Sequence, residues 1–226
     1  MTTETETEIE PAAYSATVLR GVAWKTYLEL RDNERNNHTR MSYLDGTLTL
    51  MSPRYQHDFN GRRLMMIVDE LAEALDIPVQ GTATTTLRRK GPGPRKGTGK
   101  EPDYGFYFGA NEPRMRSKPQ IDLEVDPPPD LAIEVDNKAD SAKAAKLYAR
   151  IGVPEVWRYT VRTKALWFGR LAGEDYESIG RSVCLPKLTP ALVLHALDQV
   201  DRLGETAWKR WLRDRAKDLP EPPATA

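Results

Sequence analysis

Asp103 and Glu134 are the residues of this chain whose types and placement best suit chemistry. Asp103 follows Pro102 at the start of an expected strand, Asp103 to Phe108. Glu134 lies inside the next, Asp130 to Asp136 (DLAIEVD). Two carboxylates on adjacent strands can converge on one hard cation, which takes oxygen ligands. Asp136 stands two residues beyond Glu134, and side chains alternate along a strand, so it faces the same way. Glu101 has the same relation to Asp103 if the strand already begins there. Four carboxylates buried together repel strongly, and a divalent cation is the usual remedy.

The elements that must position these residues are legible around them. Met41 to Met51 reads as a hairpin: Ser42-Tyr43-Leu44, the turn pair Asp45-Gly46, then Thr47-Leu48-Thr49-Leu50, with Pro53 ending it. Asn60 to Asp76 reads as an amphipathic helix, because Leu64, Ile67, Val68, Leu71 and Leu75 recur at three- and four-residue intervals. The Thr-rich run Thr82 to Leu87 suits a strand. Residues 88–100 (RRKGPGPRKGTGK) read as a Gly/Pro-broken loop with six basic residues and no acidic one. Ala139 to Ile151 is an expected helix closed by Gly152, which suits a left-handed cap. Glu155 to Tyr159 and Ala165 to Leu171 read as strands, and Trp208 to Leu212 as part of a final surface helix. Strands, helix, strands, helix, strands make a mixed α/β sandwich.

Composition bounds the rest. The chain has 226 residues, 39% hydrophobic and 29% charged, enough to bury a real core within one domain. Lys+Arg and Asp+Glu are both 33, so net charge gives no support to a nucleic-acid partner and any such case rests on local clustering. A single cysteine, Cys184, excludes an intramolecular disulfide and a Cys-based zinc site. No run of about 18 apolar residues occurs, so a cytoplasmic protein is the plain reading. The first ten residues, with Glu4, Glu6, Glu8 and Glu10 among threonines, and the Pro-rich LPEPPATA at the other end have the composition of disordered tails.

The segments GTLTLMSP (46–53), His57-Asp58, EPDYGFYF (101–108), DLAIEVD (130–136) and LYARIGVPEVWRY (147–159) together resemble the Uma2 (DUF820) family. That family is a restriction-endonuclease-like branch of the PD-(D/E)xK nuclease superfamily, and the resemblance covers roughly residues 40–171. It implies an α/β fold, a restriction-endonuclease-like mixed β-sheet flanked by helices with an added N-terminal hairpin region. The division expected is an acidic tail over 1–15, the nuclease-like domain over 16–200, and a C-terminal helix with its tail over 201–226.

The resemblance also implies a site. Asp103 and Glu134 would hold Mg²⁺ (or Mn²⁺), with the Val135 carbonyl and Asp136 as further candidate ligands. A lysine normally stands two residues after the Glu, where this chain has Asp136. Many members instead carry a basic residue four before a Tyr in the next helix; matching Tyr148 puts Ala144 there. The lysine is therefore sought among Lys146, taken first, Lys143 and Lys138. The family often has a Glu where this chain has Thr49.

The implied activity is Mg²⁺-dependent hydrolysis of DNA phosphodiester bonds, with a homodimer as the implied assembly. The alternative is a catalytically weakened member that binds nucleic acid or another protein; a structural partner protein is a third reading. The basic loop 88–100 suits a phosphate backbone as well as it suits a solvated hairpin loop. It is no phosphate-cradling P-loop, because its prolines remove amide donors. His57 reads as a capping or surface residue. Ser52 and Ser141 lack a nucleophile-elbow context. The run Tyr104, Phe106, Tyr107, Phe108 reads as sheet core, as do Trp157 and Trp167.

Overall fold

The computed structural model describes residues 16–51, 55–82, 85–136 and 141–221, with the backbone alone for 55–58 and 141–142. In chain order the elements are β1 (Ala16–Arg20), α1 (Trp24–Arg31), a 3₁₀ turn (Glu34–Asn36), β2 (Arg40–Leu44), β3 (Thr47–Met51), α2 (Tyr55–Ala74), β4 (Val79–Gly81), β5 (Leu87–Lys90), β6 (Gly97–Lys100), β7 (Tyr104–Phe108) and α3 (Asn111–Met115). There follow β8 (Leu131–Asp136), α4 (Ser141–Ile151), β9 (Glu155–Thr160), β10 (Ala165–Ala172), β11 (Asp175–Ile179), α5 (Pro190–Leu203) and α6 (Glu205–Lys217). No helix among the described residues is long and apolar enough to cross a membrane.

The strands form two sheets, ordered β1-β3-β2-β6-β5 and β11-β10-β9-β8-β7-β4. In the second sheet β8 and β9 run parallel, joined by the α4 crossover; its other neighbours are antiparallel. The expected α/β class stands, and the N-terminal hairpin region is larger than a hairpin: it is a five-stranded sheet of its own. Its β2–β3 turn has Asp45 at φ 43° and Gly46 at φ 89°, the paired positive values of a two-residue hairpin turn.

The α2 stripe buries Leu64, Ile67, Val68 and Leu71 against Leu131, Ile133 and Val135 of β8 and Trp157 of β9. Each such fully buried side chain contributes about 1.5–3 kcal/mol. Because alternate β8 residues face this core, Ala132, Glu134 and Asp136 face the opposite side, where α4 packs. α4 ends as expected: Gly152 at φ 90° donates to the Ala149 carbonyl while Val153 donates to that of Tyr148.

Several expectations are corrected. Of the expected strand Thr82 to Leu87, residues 83 and 84 lie outside the described residues, Thr82, Thr85 and Thr86 stand outside any strand, and Leu87 opens β5. The Thr85 hydroxyl donates to the Thr82 carbonyl, a local bond that competes with a ladder, and that of Thr86 donates to Glu101. Residues 88–100 are not a loop but mostly the β5–β6 hairpin, with Lys90 opposite Gly97 and Leu87 opposite Lys100. The helix carrying Trp208 and Leu212 is docked rather than superficial: both are buried, and the Trp208 indole N–H donates to the Ala196 carbonyl at 2.7 Å. Trp157 is core, stacked on Phe168 at 4.1 Å between ring centroids, but Trp167 is half-buried on the sheet's other face. Of the aromatic run, Phe106, Tyr107 and Phe108 are buried and Tyr104 is half-buried. The acidic N-terminal tail, the last five residues, Ser52 and Lys138 lie outside the described residues, as do the side chains of His57, Asp58 and Ser141.

Candidate active site at the seam of the two sheets

The chain leaves the first sheet at Lys100 and enters the second at Tyr104, so Glu101, Pro102 and Asp103 bridge the two. That crossing sets Lys100 just before the three-residue step and Asp103 at its end, beside β8. Asp103 is 2% exposed. Its amide donates to the Ile133 carbonyl at 3.2 Å, continuing the ladder, while its Oδ2 accepts the Val135 N–H at 2.7 Å. Its Oδ1 pairs with the guanidinium of Arg40, the first residue of β2. The Val135 carbonyl lies two positions past that of Ile133, so strand alternation turns it toward the same edge, where β7 has ended.

Glu134 is 6% exposed and held from two sides. The Lys100 ammonium reaches its Oε1, and the Tyr148 hydroxyl of α4 donates to its Oε2 at 2.6 Å. Lys100 is itself 5% exposed. Burial works against its charge, but Glu134, Asp103 and Asp136 outweigh that and raise its pKa above the ordinary lysine value. Burial together with the same three carboxylates lifts the Tyr148 hydroxyl well above its ordinary range, so it serves as a proton donor to Glu134. Asp136 is half-buried on the same face.

Glu101 does not join this group. It accepts from Arg31 at 2.5 Å and from the Thr86 hydroxyl at 2.8 Å. Among the described residues no three acidic, histidine or cysteine side chains stand close enough to hold a metal ion as a cluster. The repulsion expected among buried carboxylates is relieved by Lys100 and Arg40, two cations of the chain itself.

Neither helix lysine reaches Glu134. Lys146 is exposed; it precedes Tyr148 by two residues, about 200° around the helix, so it points away from the carboxylate that Tyr148 contacts. Lys143 extends to the first sheet, where it donates to the buried Thr49 hydroxyl at 2.6 Å. The lysine at the carboxylates is Lys100, which sequence reasoning missed because it closes a segment of loop-like composition. Arg40 was missed as well. The available signal for Lys100 was the alternation Thr98, Lys100 running into Pro102-Asp103.

A restriction-endonuclease-like architecture is what this arrangement of sheets and helices defines. The crystal structure of a putative nuclease belonging to DUF820 from Anabaena variabilis aligns with it at a TM-score of 0.50 and 14% identity, over 77% of this chain and 98% of that one. The sequence model of the family Uma2, described as "putative restriction endonuclease", matches residues 24–198, and the chain belongs to that family. No curated protein matches it.

Proposed function

We propose that this chain is a Mg²⁺-dependent endonuclease that hydrolyses phosphodiester bonds of DNA at Asp103 and Glu134, with Lys100 as the lysine of the site. The observation that carries the reading is the Lys100–Glu134–Tyr148 chain set beside Asp103: a buried ammonium on a carboxylate, next to a second carboxylate anchored in the strand ladder.

The donor set suits a hard divalent cation. Asp103, Glu134 and the Val135 carbonyl offer oxygens only, with Asp136 on the same face. An ionised carboxylate has about four acceptor sites in all, and the bonds from Lys100 and Tyr148 fall one on each oxygen of Glu134. When bound, the metal supplies Lewis-acid polarisation of a phosphoryl oxygen and a more acidic water. The chain's own groups do the rest. Tyr148 and Lys100 fix the orientation of Glu134, the Val135 amide fixes Asp103, and Lys100 offsets negative charge as water adds to phosphorus. The P–O ester bond breaks; the attacking water gives up a proton to solvent, and the departing oxygen takes one from solvent to leave as an alcohol.

The test is cleavage of plasmid and of single-stranded DNA with Mg²⁺ or Mn²⁺. Asp103→Ala, Glu134→Ala and Lys100→Ala each abolish cleavage on this reading, whereas Lys146→Ala retains it. Full activity in the Asp103 or Glu134 variant sinks the assignment of the carboxylates; loss in Lys146→Ala with retention in Lys100→Ala sinks that of the lysine.

One observation favours the binding-only alternative. Lys100 and Arg40 already balance the charge of Glu134 and Asp103. A member that binds nucleic acid without cutting it would show no metal-dependent cleavage, yet its affinity would survive Asp103→Ala.

A further inference from the structure

The strand register places Glu134 beside Arg158 on β9, and Arg158 beside Trp167 on β10, so these three side chains form a row across one sheet face. The Arg158 guanidinium lies over the Trp167 ring, 4.3 Å from its centroid. The indole in turn lies against Gly169, where an added Cβ would come within 2.0 Å of the ring, and meets Tyr176 edge-on. Arg158 is thus held in place without a carboxylate partner. Its side chain forms no hydrogen bond or ion pair among the described residues, and its Nε is buried with no acceptor. An unsatisfied buried donor is costly, so a built-in stack that keeps it so calls for a ligand. Burial lowers the Arg158 pKa, opposed by attraction from Asp136 and Glu134, and the group stays charged. A fixed planar guanidinium with free N–H groups suits two oxygens of a phosphate.

We propose that Arg158 grips a backbone phosphate of the nucleic acid next to the carboxylate site, with Trp167 as its positioning residue. The inference rests on the nuclease reading, and binding separates the two. The probe is a short mixed-sequence DNA, duplex or single-stranded, end-labelled with a fluorophore, titrated by anisotropy against the full chain in EDTA over a series of NaCl concentrations.

Arg158→Ala is expected to weaken binding and to lower the slope of log K against log [NaCl] by about 0.9 on a duplex or about 0.7 on a single strand, the share of one phosphate contact. Arg158→Lys keeps the slope but only part of the affinity, because it lacks the planar pair of donors. Trp167→Leu weakens binding with the slope intact. Circular dichroism and thermal melting confirm that each variant is folded. An Arg158→Ala variant with the wild-type slope overturns the proposal and leaves the nuclease reading standing. Failure of the wild type to bind either DNA overturns both. A Trp167→Leu variant that binds like wild type overturns the positioning role.

Discussion

Lys100→Met is the substitution that probes the seam between the sheets most directly. Lys100 and Glu134 have side chains 6% and 7% exposed, so their pairing is shielded from solvent on both sides. Methionine keeps the length of the stem and removes the ammonium, leaving the Glu134 carboxylate buried with the Tyr148 hydroxyl as its one side-chain donor among the described residues. Removing one member of a buried ion pair costs about 3–5 kcal/mol, mostly the expense of the abandoned charge. For a chain of this size that is a fall of roughly 2–4 °C in Tm per kcal/mol. Urea unfolding at neutral pH, followed by the fluorescence of the buried Trp157 and Trp208, measures it. Changing Glu134 to Gln in the same chain removes the orphaned charge, so the double variant is expected to regain most of the loss. The pH dependence has a definite sign. The Lys100 pKa is raised on folding, so its contribution is complete below the unfolded lysine value of about 10.4 and is lost only as pH climbs through the folded value. The gap between wild type and Lys100→Met therefore stays constant from about pH 7 to 9 and narrows in strong alkali. A loss under about 1 kcal/mol, or a double variant as unstable as the single one, refutes the reasoning that the pair is buried and mutually dependent.

Two further outcomes follow from packing. Gly99→Ala would bring a Cβ within 2.1 Å of the Tyr27 hydroxyl and 2.5 Å of its Cζ, in a ring that is fully buried and stacked on Tyr43, so a loss of about 1–3 kcal/mol is expected in urea unfolding; an unchanged midpoint contradicts this packing. Glu155 is fully buried and accepts the Trp157 indole N–H at 2.6 Å and the amides of Val183 and Cys184 at 2.8 and 3.0 Å. Glu155→Ala abandons three donors and is expected to cost more than Glu155→Gln, which keeps an acceptor; equal midpoints for the two variants count against this.

The parts of the fold that were legible in sequence are those where one local rule governs. The Asp45-Gly46 turn, the α2 stripe, the DLAIEVD strand and the Gly152 cap follow from turn chemistry, periodicity and left-handed geometry, and each is present. The parts that were not legible depend on what lies across the interior. GTGK reads as loop because glycine usually marks flexibility or a turn, yet Gly97 and Gly99 sit in β6 for lack of space. A Cβ on either would strike Trp24 or Tyr27 of α1. The glycines let two aromatic rings close over the strand, and that closure fixes β6 so that Lys100 ends beside Glu134. Local composition carries no trace of Trp24, some 70 residues earlier in the chain, so the lysine that pairs with Glu134 stayed hidden while lysines on an obvious helix drew attention. The direction in which those lysines point was open to reading from sequence alone. Matching Tyr148 to the carboxylate face fixes which side of α4 is inward, and on a helix with 100° per residue Lys146 must then face outward. What the carboxylates needed was an ammonium from any element that could reach them. The end of β6, rather than the helix, is the element that does.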